Sequence, residues 1–385
     1  MKLEGIRVLD LSRFLPGPWM SLMMVDHGAE VIKIESFEGE PTRKLGKPVK
    51  GFTAYFRNTQ RGKKSLTLNL KAAEGKEIFM KLAEESDVII DSFSPGVMDR
   101  LGLGYDAVKA RAPRIVYCSL SAFGQTGSMA QRPSHDVGGQ ALTGVLSLGR
   151  TDGRPPSLPP LPAADIALAS SALVAILMAL LRRHTTGRGD YLDMAMIDTT
   201  MSWTPHILGT VLSEDRAPDL ASERLYGGAA FYNVYQTKDG EYLVLSGSEM
   251  NFAENLLKAL GRPDLVEVCK LPWGAPQEPV KKFLEETFLT RTRDEWDAWL
   301  ADKRVCYAPV LDMKEAWHSQ VLREREMVVT GADGIDNLGT PIRFKEEPGA
   351  PKYTFAALGE HTDEILARLG YDTAARAKLH AEKVC

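Results

Sequence analysis

The amino-acid sequence predicts an α/β protein: a Rossmann-like large domain on a parallel sheet, followed by a smaller α+β domain. In the first half of the chain, short apolar runs alternate with helical segments, which is typical of a parallel, doubly wound sheet. Further on, two strand-like runs flank Lys238-Asp239-Gly240, and an Asp-Gly turn between strands indicates a hairpin.

The candidate strands of the first half are short and rich in branched apolar residues. They cover residues 6–11, 29–35, 65–70, 88–93 and 115–120. Helical segments follow Pro16-Gly17-Pro18, cover residues 74–85 and separate the last two strands. The most apolar stretch, residues 166–181, is slightly shorter than the roughly 20 residues of a membrane span, so we expect a buried core helix there.

The chain divides into three predicted segments. Residues 217–228 have the composition of a linker, and the hairpin and its helices follow as a distinct unit. We therefore predict a large domain over 1–205, a small domain over 225–310 and a C-terminal segment over 325–385, with its last helices at 362–369 and 374–383.

The composition excludes several classes of protein. The chain has 385 residues, of which 44% are hydrophobic and 25% charged, as in ordinary globular proteins. A net charge of −4 argues against nucleic acid as the main partner. The four cysteines are scattered, without CxxC pairs or His/Cys spacings for a metal, which favours free thiols in a reducing cytoplasm. The N-terminus lacks the apolar region of a signal peptide, and we expect a cytoplasmic protein without a membrane partner.

Asp165 lies between a proline-rich strip and the long apolar helix. A carboxylate at that position can be held by backbone N–H groups and by the positive end of the helix dipole. Such a setting would keep it ionised, which suits a nucleophile or a base. The alternative is an ordinary N-cap aspartate, worth about 1 kcal/mol. The local sequence leaves both interpretations open.

Two motifs have a superficial likeness to nucleotide-binding loops. Arg61-Gly62-Lys63-Lys64-Ser65 resembles the tail of a P-loop, but Arg57 stands where the first glycine should be. Such a run of cations is usually a solvated surface, although Arg61 and Lys64 precede a strand and are candidates to hold phosphates by charge. Gly102-Leu103-Gly104 follows a helical stretch rather than a strand, so an NAD-dependent dehydrogenase is disfavoured.

Several segments, taken together, carry a family pattern. They are residues 3–10, 16–18, 28–35, 61–65, 95–97, 100–102, 186–189 and 358–364. In this order, across nearly the whole chain, they resemble the family III CoA-transferases (CaiB/BaiF type), a family that includes the 2-methylacyl-CoA racemases. The resemblance implies an intertwined homodimer, with the end of each chain returning to its large domain.

The resemblance also implies coenzyme A thioesters as substrates, with no permanently bound cofactor and no metal. Asp165 matches the catalytic aspartate of the family. The residues that match its CoA-binding surface are Leu15, Pro16, Lys71, Ser92, Phe93 and Arg100. In one departure, Ser36-Phe37 stands where many relatives carry an arginine, which leaves the adenine-side contact at that position open.

Two chemistries fit this family, and both require Asp165. In a CoA-transferase, the aspartate attacks an acyl-CoA and carries CoA to a carboxylic acid acceptor through covalent intermediates. In a racemase, two bases exchange a proton at the carbon next to the thioester. His135 matches the racemase histidine, and Glu249 matches a carboxylate that supports it.

The residues around His135 depart from the racemase pattern, which has glycine before the histidine and asparagine at the position of Gly138. We therefore expect a CoA-transferase first and a racemase as the alternative. A non-catalytic CoA-binding protein is a third class, and it would need no placed carboxylate.

Overall fold

A computed structural model describes residues 1–150 and 155–385 of the chain. These residues form two compact units. The large unit consists of Met1–Thr204 together with Gln320–Cys385, and the small unit of Pro205–Ser319. The C-terminal segment is thus part of the large unit.

The large unit is built on a six-stranded parallel sheet, which confirms the predicted fold class. Its strands are β1 (Arg7–Asp10), β2 (Glu30–Glu35), β3 (Lys64–Thr67), β4 (Val88–Asp91), β5 (Val116–Ser121) and β6 (Asp190–Ala195). The strand order is β3-β2-β1-β4-β5-β6. This is the order of a doubly wound Rossmann sheet, in which the direction of winding reverses between β1 and β4.

Helices cover both faces of the sheet, which is why its central strands are apolar throughout. Those before the small unit are α1 (Pro16–Asp26), α2 (Ala54–Gln60), α3 (Ala73–Glu84), α4 (Val97–Leu101), α5 (Tyr105–Arg111), α6 (Asp136–Leu142), α7 (Ala163–Thr186) and α8 (Met196–Ser202). On one face, Phe79 of α3 and Val108 of α5 join the core. On the other, Met24 of α1 and Ile176 of α7 do so.

The small unit has a three-stranded antiparallel sheet. Its strands are β7 (Tyr232–Gln236), β8 (Tyr242–Ser246) and β9 (Tyr307–Pro309), and its helices are α9 (Gly209–Glu214), α10 (Met250–Ala259), α11 (Glu278–Phe288), α12 (Arg293–Leu300) and α13 (Met313–His318). The predicted Asp239-Gly240 hairpin joins β7 to β8. Phe288 and Trp296 pack edge to face in the core of this unit.

The C-terminal segment completes the large unit. It contains α14 (Gln320–Glu324), α15 (Thr362–Arg368) and α16 (Thr373–Ala381), and a short ribbon of Val328–Thr330 with Asp336–Leu338. A second ribbon pairs Pro48–Val49 with Phe52–Thr53. Ile365 and Leu366 of α15 are buried in the same core as α3.

The long helix α7 differs from the expected core helix, because only one side of it is buried. By length and composition alone it passes as a membrane span, and 44% of its most apolar window is buried within the described residues. The other side exposes Val174, Leu177, Met178 and Leu181, with fractional exposures between 39% and 73%. The spacing of these four residues places them along one helical face.

Two element boundaries differ from the predicted ones for local reasons. The predicted strand 65–70 ends at Thr67, because the Asn69 side chain accepts a hydrogen bond from the Lys71 N–H and turns the chain. The helix predicted from residue 166 begins at Ala163 and ends at Thr186. Its C-cap is Gly187, whose φ of 68° is a left-handed conformation that favours glycine.

Candidate active site

The point where the sheet reverses its winding carries a cavity. β1 ends at Asp10 and β4 at Asp91, and the loops that follow them meet through a hydrogen bond from the Arg13 N–H to Ser92 Oγ at 3.0 Å. Ligands of doubly wound sheets bind in this crevice at the carboxyl ends of the strands. The cavity has a volume of about 220 Å³, and its lining residues are Arg13, Phe14, Pro16, Ser92, Leu120, Ser121, Ala122, Ser134, His135, Asp165, Leu168 and Met196.

Asp165 lies in the first turn of α7, but it is not the N-cap residue. The N-cap position belongs to Pro162, which has no side-chain oxygen to offer. The helix start is capped instead by Asp136, whose Oδ1 accepts hydrogen bonds from the N–H groups of Ala164 at 2.8 Å and Asp165 at 3.1 Å. The capping alternative for Asp165 is therefore wrong, and its carboxylate is left free for other contacts.

The pKa of Asp165 is raised from 3.8 to about 7, first by burial and then by the nearby Asp136 carboxylate. This corrects the expectation that the helix start keeps the group fully ionised, because burial and a like charge outweigh the helix dipole. A carboxylate with a pKa near 7 is a stronger base and nucleophile than an ordinary aspartate. A substantial fraction of it is still ionised at neutral pH.

His135 lines the same cavity as Asp165. It is the N-cap residue of α6, so the turn that places its imidazole also places Asp136 in the first turn of that helix. The ring of Phe14 packs edge to face against the imidazole, with 5.7 Å between centroids. His135 and Asp165 therefore line one cavity, and their predicted catalytic roles stay predictions.

The turn that carries Arg13 and Phe14 rests on a buried charge cluster, which we define as Asp10, Lys33, Glu40 and Lys63. The side chains of all four are at most 4% exposed, and Lys33 and Lys63 both pair with Asp10 at 3.2 Å. Burial opposes the ionisation of Asp10, but the charges of Lys33 and Lys63 and hydrogen bonds from Ser12 and Ser21 together hold its pKa well below its usual range. The opposite charges of the cluster compensate one another, and Lys33 and Glu40 hold the turn by hydrogen bonds with the Ser12 carbonyl and the Phe14 N–H.

The predicted CoA-binding residues have several different surroundings. Pro16 and Ser92 line the cavity of Asp165, and Leu15 adjoins it as the N-cap of α1. Phe93 lines a neighbouring cavity of about 230 Å³. Lys71 and Arg100 are exposed, after β3 and in α4 respectively.

The predicted phosphate role of Arg61 is wrong. Its side chain is 1% exposed, and its guanidinium pairs with Asp26 at 2.6 Å, so no phosphate can reach it. Lys64 is partly exposed, but its ammonium pairs with Glu364 at 2.7 Å and Glu30 at 3.1 Å. Arg61 and Lys64 therefore form ion pairs within the fold, and neither lines the cavity of Asp165.

Glu249 belongs to the small unit. It is the N-cap residue of α10, and its carbonyl oxygen accepts a hydrogen bond from the Phe252 N–H at 3.0 Å. Its predicted support of the histidine stays a prediction.

Sequence reasoning missed Arg13 and Phe14 as residues of the site, and it missed that Asp136 caps α7. Arg13 and Phe14 come directly after the first strand of the sheet, which is the signal that would have found them. Nothing local in the sequence shows that Asp136 caps a helix 28 residues away.

The fold matches solved structures closely. A CAIB/BAIF family protein from Brucella suis superposes with a TM-score of 0.83 at 31% identity, covering 95% of this chain and 99% of that one. The sequence model of CoA-transferase family III matches residues 3–362. The chain belongs to CoA-transferase family III. The resemblance predicted from the motifs is thereby confirmed.

Relatives of this chain include both racemases and CoA-transferases. This family III protein is 31% identical to the alpha-methylacyl-CoA racemase of Mus musculus, over all of this chain and 97% of the relative. It is 30% identical to the succinyl-CoA:glutarate CoA-transferase of Homo sapiens, over 98% of this chain and 88% of the relative. Similarity is thus equal for the two activities, and the geometry of the site has to separate them.

Proposed function

We propose that this protein is an acyl-CoA:carboxylate CoA-transferase that uses Asp165 as its nucleophile. The observation that carries the proposal is the state of that carboxylate. It lines the cavity at the sheet reversal, and within the described part of the large unit no group hydrogen-bonds to it. Its backbone is fixed by Asp136, so an otherwise unengaged carboxylate is held in place for attack.

The reaction balances with Asp165 as the only covalent group. One carboxylate oxygen attacks the donor thioester carbonyl, the C–S bond breaks, and a mixed anhydride and CoA thiolate form. The thiolate attacks the aspartyl carbonyl carbon, which releases the donor acid and leaves an aspartyl-CoA thioester. The acceptor carboxylate then attacks that carbon, and the expelled thiolate takes the acceptor acyl group, which regenerates Asp165.

The racemase is the second candidate, because His135 and Asp165 line one cavity. A histidine that cycles a proton is normally oriented by a hydrogen bond at its second ring nitrogen. Within the described part of the large unit the imidazole of His135 has no such partner, and it packs against Phe14 instead. The transferase needs only Asp165, so it ranks first.

The test is to incubate the protein with succinyl-CoA and a panel of carboxylic acids and to search for new CoA esters by mass spectrometry. Asp165→Asn should abolish their formation while acyl-CoA binding survives, and hydroxylamine should trap a hydroxamate at Asp165 of the wild type. The exposed helix cap variant Asp372→Asn is the control and should keep full activity. Normal turnover by Asp165→Asn would refute the proposal.

The racemase is tested separately with a 2-methylacyl-CoA in deuterated water. Deuterium incorporation next to the thioester that is lost in both His135→Ala and Asp165→Asn would favour the second candidate. Rapid ester formation without deuterium incorporation would exclude it.

We also propose that the protein is an intertwined homodimer in the cytoplasm, as the resemblance implies. The exposed apolar face of α7 supports an assembly that covers it, and four free cysteines suit a reducing compartment. Light scattering should give twice the mass of the chain. Leu181→Asp, at a position 73% exposed, should lower that mass or the solubility if the face is covered.

A further inference from the structure

We propose that the acceptor of this enzyme is a short dicarboxylic acid, and that Arg13 binds the carboxylate that does not react. The inference rests on the proposed function and names the substrate class of the same site. It starts from the charges around the cavity. Apart from His135, Arg13 supplies the cationic side chain among the lining residues, opposite in sign to Asp165.

The guanidinium of Arg13 is available. Within residues 1–150, 155–204 and 320–385, no carboxylate forms an ion pair with it, and Arg13 is exposed and lines the cavity. Its charge acts weakly on the exposed Glu38, whose pKa is lowered first by a hydrogen bond with Ser36 and least by Arg13. Other arginines of the large unit are engaged, such as Arg43 with Glu35 at 2.7 Å and Arg183 with Asp87 at 2.7 Å. An unengaged guanidinium matches a carboxylate with two parallel hydrogen bonds.

The turn that carries Arg13 is fixed at every residue. The carbonyl of Ser12 accepts a hydrogen bond from Lys33 Nζ, the Arg13 N–H donates to Ser92 Oγ at 3.0 Å, and the Phe14 N–H donates to Glu40 Oε1 at 2.9 Å. Two of these three anchors come from the buried charge cluster. The backbone of Arg13 is thus preorganised, which reduces the entropic cost of binding a ligand.

The backbone conformation of Phe14 indicates that its surroundings impose the shape of this turn. Its φ of 64° is left-handed, a conformation that costs a residue with a side chain about 1–2 kcal/mol. Strain of this kind persists only where the surroundings impose it, and it concentrates at functional sites. Here it accompanies the packing of the Phe14 ring against His135, and Arg13 lines the same cavity.

The lining of the cavity suits a short chain between the two carboxylates. Its volume of about 220 Å³ has room for a small ligand. Leu120, Leu168 and Met196 offer an apolar wall for methylene groups. Together they fit a short aliphatic diacid, with one carboxylate at Asp165 and the other at Arg13.

The competing role for Arg13 is a contact with a phosphate of coenzyme A. That contact would act on every acyl-CoA alike, whereas a carboxylate contact acts on diacids alone. The experiment therefore compares each diacid with the monoacid of the same length: succinate with butyrate, glutarate with valerate and adipate with hexanoate. The enzymes are the wild type, Arg13→Gln, Arg13→Lys and the control Lys44→Gln, which removes an exposed cation outside the lining.

The expected result is a diacid preference in kcat/KM of about tenfold or more for the wild type and for Lys44→Gln. In Arg13→Gln, the ratio of kcat/KM for the diacid to kcat/KM for the monoacid should fall by about tenfold. Arg13→Lys should give an intermediate ratio, because lysine keeps the positive charge but cannot form two parallel hydrogen bonds with a carboxylate. A ratio unchanged in Arg13→Gln, with a raised KM for every acyl-CoA, would assign Arg13 to the coenzyme and overturn the proposal. A wild type that prefers monoacids would overturn it as well.

A binding measurement separates this inference from the proposed function. Calorimetry with the Asp165→Asn enzyme and CoA should show glutarate binding about tenfold tighter than valerate, and the double variant with Arg13→Gln should lose the difference. If no acid accepts CoA but this difference is found, the transferase assignment fails while the diacid site stands. If transfer occurs and the difference is absent, the diacid site alone is refuted.

Discussion

The Asp136 carboxylate accepts a hydrogen bond from the backbone N–H of Asp165 at 3.1 Å, and in doing so links two helices at the cavity. The same group acts on Asp165 in two ways. Its hydrogen bonds fix the start of α7 and hence the position of the Asp165 backbone. Its negative charge adds to burial in raising the pKa of the Asp165 side chain. Asp136 is therefore a positioning residue that also sets the reactivity of its neighbour.

Asp136→Asn should move the acidic limb of the pH profile to lower pH. The amide keeps an oxygen that can accept the two N–H groups, but it removes the negative charge beside Asp165. In the wild type, kcat/KM should rise with pH through about 7, where Asp165 ionises. In the variant, the midpoint of this limb should shift to lower pH by up to about one unit. The midpoint should stay above pH 3.8, because burial, the larger cause of the raised pKa, remains.

Asp136→Ala serves as the matched comparison for this prediction. It removes the charge and the cap together, so the midpoint of the pH limb should shift and kcat should also fall, by about fivefold if the cap contributes about 1 kcal/mol to the position of Asp165. An acidic limb that is identical in the wild type and in Asp136→Asn would show that the charge of Asp136 does not reach Asp165.

Asp165→Asn should be inactive yet relatively more stable at alkaline pH. The folded pKa of about 7 lies above the ordinary 3.8, so the folded state binds the proton more tightly. This contribution to the free energy of unfolding is complete below about pH 4 and is lost as the pH rises to 7. Asparagine does not titrate, so the free energy of unfolding of the variant should rise relative to that of the wild type across that interval.

The gain should be about 1–2 kcal/mol at pH 8. A shift of about three pKa units would give roughly 4 kcal/mol in a fully buried group, at about 1.4 kcal/mol per unit, and the value is smaller here because Asp165 is partly exposed. Urea denaturation at pH 4 and pH 8 measures it. A stability difference that does not change with pH would contradict the raised pKa.

The sheet of this protein was predictable because its signals are local. Apolar runs such as those of β1 and β4 indicate buried parallel strands wherever they occur, and the reversal between them fixes where a ligand binds. Asp165 was singled out by its place before a long apolar helix, although only the family resemblance pointed to a catalytic role. These inferences need only a few consecutive residues.

The roles of Arg61 and Asp136 depend on residues far away in sequence, and the local pattern therefore misleads. Arg61 has the sequence context of a surface cation, but it is buried and pairs with Asp26, which lies 35 residues earlier. Asp136 directly follows His135 in the sequence, but its carboxylate caps α7, which begins far along the chain. Pairings of this kind follow from the packing of elements and not from any single segment.

Glu40→Gln should destabilise the large unit strongly. Glu40 is 3% exposed, lies 3.6 Å from Lys33 and accepts the Phe14 N–H, so the variant leaves a buried lysine charge with less compensation. Loss of one partner from a buried pair costs about 3–5 kcal/mol. Urea denaturation measures the change, and Glu364→Gln, which breaks an exposed pair with Lys64, should cost less than about 1 kcal/mol. Equal losses in the two variants would show that the cluster is not buried as described.

Glu30→Gln should weaken the protein at neutral pH and leave it unchanged in acid. Although burial opposes ionisation, hydrogen bonds from Arg7 and Lys64 and the charges of Arg7 and Arg368 lower the pKa of Glu30 from 4.5 to about 2. A depressed pKa stabilises the folded state above pH 4.5 and loses that effect as the pH falls to about 2. The variant should therefore be less stable by up to about 1 kcal/mol at pH 7, since the pairs are partly exposed, and the difference in stability should close as the pH approaches 2.

Thermal unfolding between pH 7 and pH 2 measures this difference. The control is Glu346→Gln, at a position 82% exposed, which should match the wild type throughout. A difference that persists at pH 2 would mean that Glu30 acts through packing and not through its charge.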